Sequence, residues 1–426
     1  MRHVLDAGYH GPTVDDVDPK SLYREQTYEV QTIDGWTLVI TRFQPTPQPY
    51  LQPIYGEPLL LVHGFAQNRH AWTSGQFVKN LLFFGADLHI LELRGHGRSS
   101  IALQRERART GGKLPADLDY GWDIDSYFLY DLPAAVEGVK RITGRSKIFL
   151  CGHSMGGMLG YGYAGIRDDL EGLITIGAPC ELGKGFPLLR LLAAAAPSLT
   201  LLLDGIFGLT NFVRTQGWGA GKRLSHRLRA LGLGQVANWV EPTTNRPETA
   251  RYKYLPIDDA LRWLANFLTP EVFERYQEAA SWLSFVTNPS RVTAEDIRWL
   301  LEHGGEREPR GVVTQFAKWI RRGQLTCYRT GYDFKRNFSK IDVPMAIIFG
   351  DLDRLASVQS TAAVYRAARS EYLLWRPVKG NSHVELTMGH DIRQVCYDVK
   401  NLIDFAAKHR GRRPSLPRVE KDEPRR

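Results

Sequence analysis

An α/β fold is predicted, with a mostly parallel central sheet and helices on both faces, and three observations predict it. From residue 58 onward, short apolar runs that end near a Gly alternate with segments of helical spacing. The alternation stops near residue 181 and resumes near 341. The stretch between is mainly helical in pattern and holds no strand signal of comparable strength. Parallel neighbours need a crossover connection, so strand and helix in alternation are what such a sheet requires. The sheet domain is therefore expected in two parts, 1–180 and 341–409, with a large helical insertion at 181–340 and a basic tail at 410–426.

Taken in order, "TYEVQTIDGWTLVITRFQP" (27–45) reads as two strands around a tight Asp34-Gly35 turn. "PLLLVHGF" (58–65) is a continuous apolar run, as expected for a buried parallel strand, and "DLHILELRGHGRS" (87–99) is a strand followed by a Gly-rich loop. Between them "AWTSGQFVKNLLFFG" (71–85) has helical spacing. "DSYFLYDLPAAVEGVKRITG" (125–144) predicts an amphipathic helix, then "KIFLCGH" a strand, a helix from Met155, and another strand in "LEGLITIGAP" (170–179). Within the insertion, "PEVFERYQEAASWLSFV" (270–286) and "TAEDIRWLLEHG" (293–304) look helical. The sheet returns with "VPMAIIFGDLDRLA" (343–356), a helix in "TAAVYRAARS", a last strand in "EYLLWRPVKG" and a closing helix in "QVCYDVKNLIDFAAKH".

Composition excludes several classes. The chain has 426 residues, 43% hydrophobic and 24% charged, which suits an ordinary globular protein with a substantial core. Cys151, Cys180, Cys327 and Cys396 lie far apart with no metal-ligand spacing, so buried reduced thiols are expected, with neither disulfides nor a zinc site. The start, "MRHVLDAGYHGPTVDD", shows no apolar secretory core, which favours a cytoplasmic location. Net charge is +9, and the Pro-rich tail holds seven basic residues against three acids. A solvated tail is the expectation there, and no motif points to nucleic acid.

Ligand and catalytic groups in such sheets gather at the carboxyl ends of the strands. There the sequence puts His63-Gly64-Phe65, Arg94-Gly95-His96-Gly97, Ser154, Asp353 and His383. Gly152-His153-Ser154-Met155-Gly156 fits G-x-S-x-G, a sharp strand-to-helix turn that needs small residues on both sides of an exposed serine. Gly157 allows closer packing still. A serine hydroxyl needs a histidine to take its proton and a carboxylate to orient that histidine, in the chain order Ser, acid, His. Asp353 and His383 meet that order, with Asp351 as the rival acid and His390 as the rival base. Asp353 is preferred because Gly350-Asp351 can form the turn that projects it. The N–H groups of Met155 and Phe65 are the expected donors to a developing oxyanion. Arg94, His96 and Arg98 are expected to organise their loop, and His153 to pack beside the turn. Neither a metal nor an organic cofactor is implied.

These residues resemble the α/β-hydrolase superfamily, and the likeness is closest to acid lipases of the lysosomal and gastric kind and their bacterial relatives. "TYEVQTIDGWTLVITR" resembles that branch's first hairpin, "LLLVHGF" its oxyanion strand, and "YDLPAAVE" the helix before the nucleophile. "QFAKWIRRGQL" (315–325) resembles the segment that closes its cap, "GDLDRLA" its acid and "NSHVELTMG" its base. The resemblance covers most of residues 25–408 and is weakest in the cap. It implies a serine hydrolase acting on lipid-like esters with long acyl or sterol-like groups. The "RGHGRS" loop is more similar to esterase and monoacylglycerol-lipase relatives. Acyl transfer to an alcohol or thiol would use the same residues, and a non-catalytic lipid-binding protein would be expected to lack one of them.

Thirteen uncharged residues separate Arg190 from Asp204, too few to span a bilayer. They are expected to form a cap helix that faces the acyl pocket or touches a lipid surface. Arg214, Lys222, Arg223, Arg227 and Arg229 follow without an acid, and two readings stay open: a solvated face, or attraction to anionic membrane.

Overall fold

The computed structural model describes residues 11–195, 218–240, 253–279 and 286–411. Most of the apolar segment after Arg190, the side chains of Arg214 and Lys222, the end of the 270–286 segment and nearly all of the basic tail lie outside the described residues. Eight strands form one sheet: β1 (Tyr23–Gln31), β2 (Thr37–Pro45), β3 (Pro58–Val62), β4 (Asp87–Glu92), β5 (Ile148–His153), β6 (Leu170–Ile176), β9 (Met345–Gly350) and β10 (Leu373–Val378). Their spatial order is β1-β2-β4-β3-β5-β6-β9-β10. Only β2 runs against its neighbours, while β4, β3, β5, β6, β9 and β10 pair in parallel. Two further strands, β7 (Tyr254–Leu255) and β8 (Glu308–Pro309), form a small antiparallel pair.

Because successive strand residues face opposite sides, each central strand feeds two cores. Leu60 and Val62, Ile148 and Leu150, and Ile347 and Phe349 pack with helices Leu132–Thr143, Met155–Ala164 and Val358–Ala367. Leu59 and Leu61, Phe149 and Cys151, and Ala346 and Ile348 pack with helices Phe77–Phe83 and Ile392–Lys408. A strand buried on both faces reads as an unbroken apolar run, which is why these strands stand out in the sequence.

Three elements differ from expectation. The helix expected at 71–85 is two short ones, His70–Thr73 and Phe77–Phe83, interrupted at Ser74-Gly75-Gln76, where Gly weakens helix propensity. The helix expected at 125–144 begins as Ile124–Ser126, widens into a π-turn at Tyr127–Asp131, and continues from Leu132. Pro133 has no N–H to donate back to the preceding turn, so the regular ladder is broken there. A further helix, Ile101–Arg109, follows the Gly-rich loop; only its Gln104 is buried, so it carries no apolar stripe for a pattern to reveal.

Arg94 ties the amino-terminal hairpin to the sheet. Fully buried, it donates to Asp131 (2.8 and 2.7 Å), to Asp34 in the hairpin turn (2.7 Å) and to Asp117 (3.0 Å). Asp131 is buried too, and without the guanidinium it would be an uncompensated charge. Arg94→Met is expected to lower the unfolding free energy by about 3–5 kcal/mol in urea denaturation. A loss below about 1 kcal/mol would show that the cluster is not the tie described here.

Candidate active site

Strand β5 runs straight into the turn at Ser154, whose backbone sits at φ +51° and ψ −117°. That is a left-handed conformation which a residue with a Cβ adopts only under strain. It is tolerated because its neighbours take no space. A Cβ on Gly152 would lie 2.3 Å from the Gly156 carbonyl carbon, and one on Gly156 2.2 Å from the Val62 carbonyl oxygen. Met155 opens the helix Met155–Ala164, so its N–H is among the first-turn donors with no partner inside the helix.

The two long-range partners reach Ser154 from the second part of the sheet. The Ser154 hydroxyl lies 3.0 Å from His383 Nε2, and His383 Nδ1–H donates to Asp353 Oδ2 at 2.7 Å. Asp353 Oδ1 accepts from the N–H groups of Leu355 and Ala356, both at 2.8 Å, which fixes the carboxylate's plane. Burial alone pulls His383 down, but the charge and hydrogen bond of Asp353, joined by Glu385, outweigh it and the net shift is upward. Asp351, the rival acid, points elsewhere and accepts from Gly380 N–H (2.6 Å). His390, the rival base, is exposed, and it is His383, not His390, whose ring meets Ser154 and Asp353; the His390 backbone N–H donates to the Arg291 carbonyl.

The loop after β3 approaches from the other side. His63 Nδ1–H donates to the Gly64 carbonyl (2.9 Å), while His63 Nε2 accepts from Leu93 N–H (3.1 Å). This fixes one tautomer and, with it, the peptide plane that carries the Phe65 N–H. Burial, then the charge of His96, holds His63 neutral with a pKa of about 3. The Phe65 ring packs edge-on against Phe316 of the helix Arg310–Arg322 (5.4 Å between centroids). His153 is fully buried and donates through Nε2 to the His383 carbonyl (3.3 Å). Burial, then the charge of His383, depresses it to about 3, so it stays neutral and packs beside the turn. Arg98 reaches Thr27 and Thr41, both at 3.1 Å, and binds its loop to the hairpin.

Two carboxylates that the sequence did not single out flank this constellation. Glu385, fully buried, accepts from Ser382 N–H (2.5 Å) and Asn288 N–H (2.9 Å), and burial raises it to about 7. Glu308, also fully buried, accepts from Ala66 N–H (2.5 Å). No local pattern marks either one, since Asn288, a partner of Glu385, and Ala66, a partner of Glu308, lie in other parts of the chain. Among the described residues, no group of three or more His, Cys, Asp or Glu side chains is arranged to hold a metal.

The profile of the family described as "alpha/beta hydrolase fold" matches residues 57–382. Sterol esterase 2 of Saccharomyces cerevisiae is 28% identical over 149 residues, 34% of this chain and 27% of that protein. Lipase member M of Mus musculus is 28% identical over 142 residues, 33% of this chain and 32% of that one. The chain thus spans about a third of the length of these curated relatives. Among solved structures, a thermophilic esterase from Thermogutta terrifontis is 15% identical and covers 89% of this chain and 99% of its own, with a TM-score of 0.46.

Proposed function

The chain belongs to the alpha/beta hydrolase fold family, whose profile matches residues 57–382, and we propose that it is a serine hydrolase of carboxylic esters with lipid-like, acyl or sterol-like, groups. The unbroken line from Ser154 Oγ through His383 to Asp353 carries this reading. As Ser154 Oγ attacks the ester carbonyl, His383 Nε2 takes its proton. Asp353 keeps the second proton on Nδ1 and stabilises the imidazolium that results. The N–H groups of Phe65 and Met155 receive the oxyanion, and His383 then protonates the leaving alcohol. Water, activated by the same imidazole, releases the acyl group from Ser154. The mechanism uses no metal and no organic cofactor. The lipase and sterol-esterase names of the relatives support the substrate class, and residues 181–340 act as the cap that selects the acyl group.

A cytoplasmic location is supported by four cysteines that are all buried and unpaired. Among the described residues no helix is long and apolar enough to cross a membrane. Peripheral contact with a lipid surface through the cap is supported by Leu188, Leu191 and Leu192, exposed on the helical residues 187–195 beside Arg190. Sedimentation with anionic vesicles should exceed that with zwitterionic ones of equal size; equal recovery contradicts the contact.

Release of nitrophenol from p-nitrophenyl esters of increasing acyl length is expected from the wild type, and to vanish in Ser154→Ala. Asp353→Asn should lower kcat by about 10⁴-fold, since the imidazole loses its tautomer. Asp351→Asn should retain wild-type turnover, and equal losses at both positions would sink the assignment of the acid. Only neutral His383 can accept the serine proton, and its pKa is raised from the ordinary 6.5. kcat/KM should therefore fall on the acid side with a midpoint above 6.5; a midpoint below it would argue against His383 as the base.

A further inference from the structure

The segment 303–309, in the later part of the insertion, grips the loop that carries Phe65. Ala66 N–H donates to Glu308 Oε1 (2.5 Å), Glu306 N–H donates to the Ala66 carbonyl (2.9 Å), and Asn68 Nδ2 donates to both the His303 carbonyl and Glu306 Oε1, each at 2.8 Å. Ala66 itself has φ +53°, a conformation that a residue with a Cβ leaves unless it is held. The peptide it holds follows directly on the one whose N–H belongs to Phe65.

Glu308 is anchored from behind. Its Oε1 also faces His96 Nε2 (3.3 Å), and its Oε2 lies 3.5 Å from the Tyr127 hydroxyl. Every group around it donates. His96 Nδ1 faces the Arg94 carbonyl (2.9 Å), so both ring nitrogens of His96 meet acceptors and both carry protons. Burial alone would lower the His96 pKa, but the charge and hydrogen bond of Glu308, helped by Glu306, raise it to about 9. The two side chains are fully buried. A buried ion pair costs several kcal/mol of desolvation per charge, so it is better explained by specificity than by stability. Reaching Ala66 would need only a neutral acceptor; a carboxylate held by an imidazolium fixes that acceptor in place.

We propose that Glu308, held by His96, is a positioning residue that sets the oxyanion loop, so that the later part of the insertion shapes the site for the transition state. Resting on the serine-hydrolase reading above, the inference predicts which kinetic constant changes. Glu308 does not touch substrate, so losing it should spoil the alignment of the Phe65 N–H and leave ground-state binding intact.

The test uses the full-length protein, a p-nitrophenyl ester of the acyl length that the wild type prefers, and a trifluoromethyl ketone of the same chain as a tetrahedral mimic. Glu308→Met should lower kcat by about 10- to 100-fold, somewhat less than outright loss of an oxyanion donor. KM should change by less than about 3-fold, and the ketone should weaken by the same factor as kcat. Glu308→Gln, which keeps an acceptor for Ala66, should restore kcat to within about 3-fold of wild type. Folded Glu308→Met with wild-type kcat and ketone affinity overturns the proposal, as does a loss confined to KM or to melting temperature. Should Glu308→Met not fold, His96→Gln takes its place. It should lower kcat and ketone affinity together by at least about 3-fold, and wild-type values there overturn the proposal equally. Ser154→Ala, run in parallel, separates the two ideas: its survival would refute the serine-hydrolase reading, whereas an inactive Ser154→Ala beside an unaltered Glu308→Met refutes only the role of Glu308.

Discussion

A Cβ at Gly156 would sit 2.2 Å from the Val62 carbonyl oxygen and 2.7 Å from that of His63. The missing side chain lets the helix that starts at Met155 lie directly on the end of β3, and the geometry of the site follows from that contact. It brings the first turn of the helix beside the loop His63-Gly64-Phe65, so close that a Cβ on Gly64 would lie 2.9 Å from Ser154 Cβ. It also makes the strained turn at Ser154 tolerable. Strain of this kind costs on the order of 1–3 kcal/mol and persists only where the surroundings over-determine it. Here the surroundings are β3, β5 and β6, whose apolar residues are buried on both faces.

Around that centre, the hairpin turn and the two loops that carry Phe65 and His383 are tied by hydrogen bonds that include buried polar groups. Arg94 binds the hairpin turn through Asp34, and His63 fixes the peptide of Phe65. The His383 loop is clasped from the insertion, with Val286 accepting from the N–H groups of His383 and Val384, and Asn288 donating to Glu385. The Phe65 loop is clasped likewise by residues 303–309. The described parts of residues 181–340 therefore meet the site at both of its loops, and each clasp includes a carboxylate with no exposure to solvent, Glu385 or Glu308.

Much of the site was legible in the sequence because its requirements are local. The demand for Gly on both sides of Ser154 lies within five residues, and chain order with strand-end position was enough to bring Asp353 and His383 forward. Asp353 was preferred to Asp351 on a turn argument alone; the two sit two positions apart, and in the fold Asp351 meets Gly380 and Asp353 meets His383. The apolar runs of β3, β5 and β9 stood out because both faces of those strands are covered. Glu308 left no signal, since its bond to Ala66 crosses 242 positions and a lone Glu before Pro looks like a helix entrance. The π-turn at Tyr127–Asp131 was equally hidden, because the apolar pattern there is that of a continuous helix.

The most direct test of the central claim is mass spectrometry of the protein quenched in acid shortly after mixing with a p-nitrophenyl ester. An acyl group on the peptide that holds Ser154, formed in the wild type and absent from His383→Ala, is the predicted result. Turnover of the ester with no acyl group on Ser154, or with one on another residue, would contradict it.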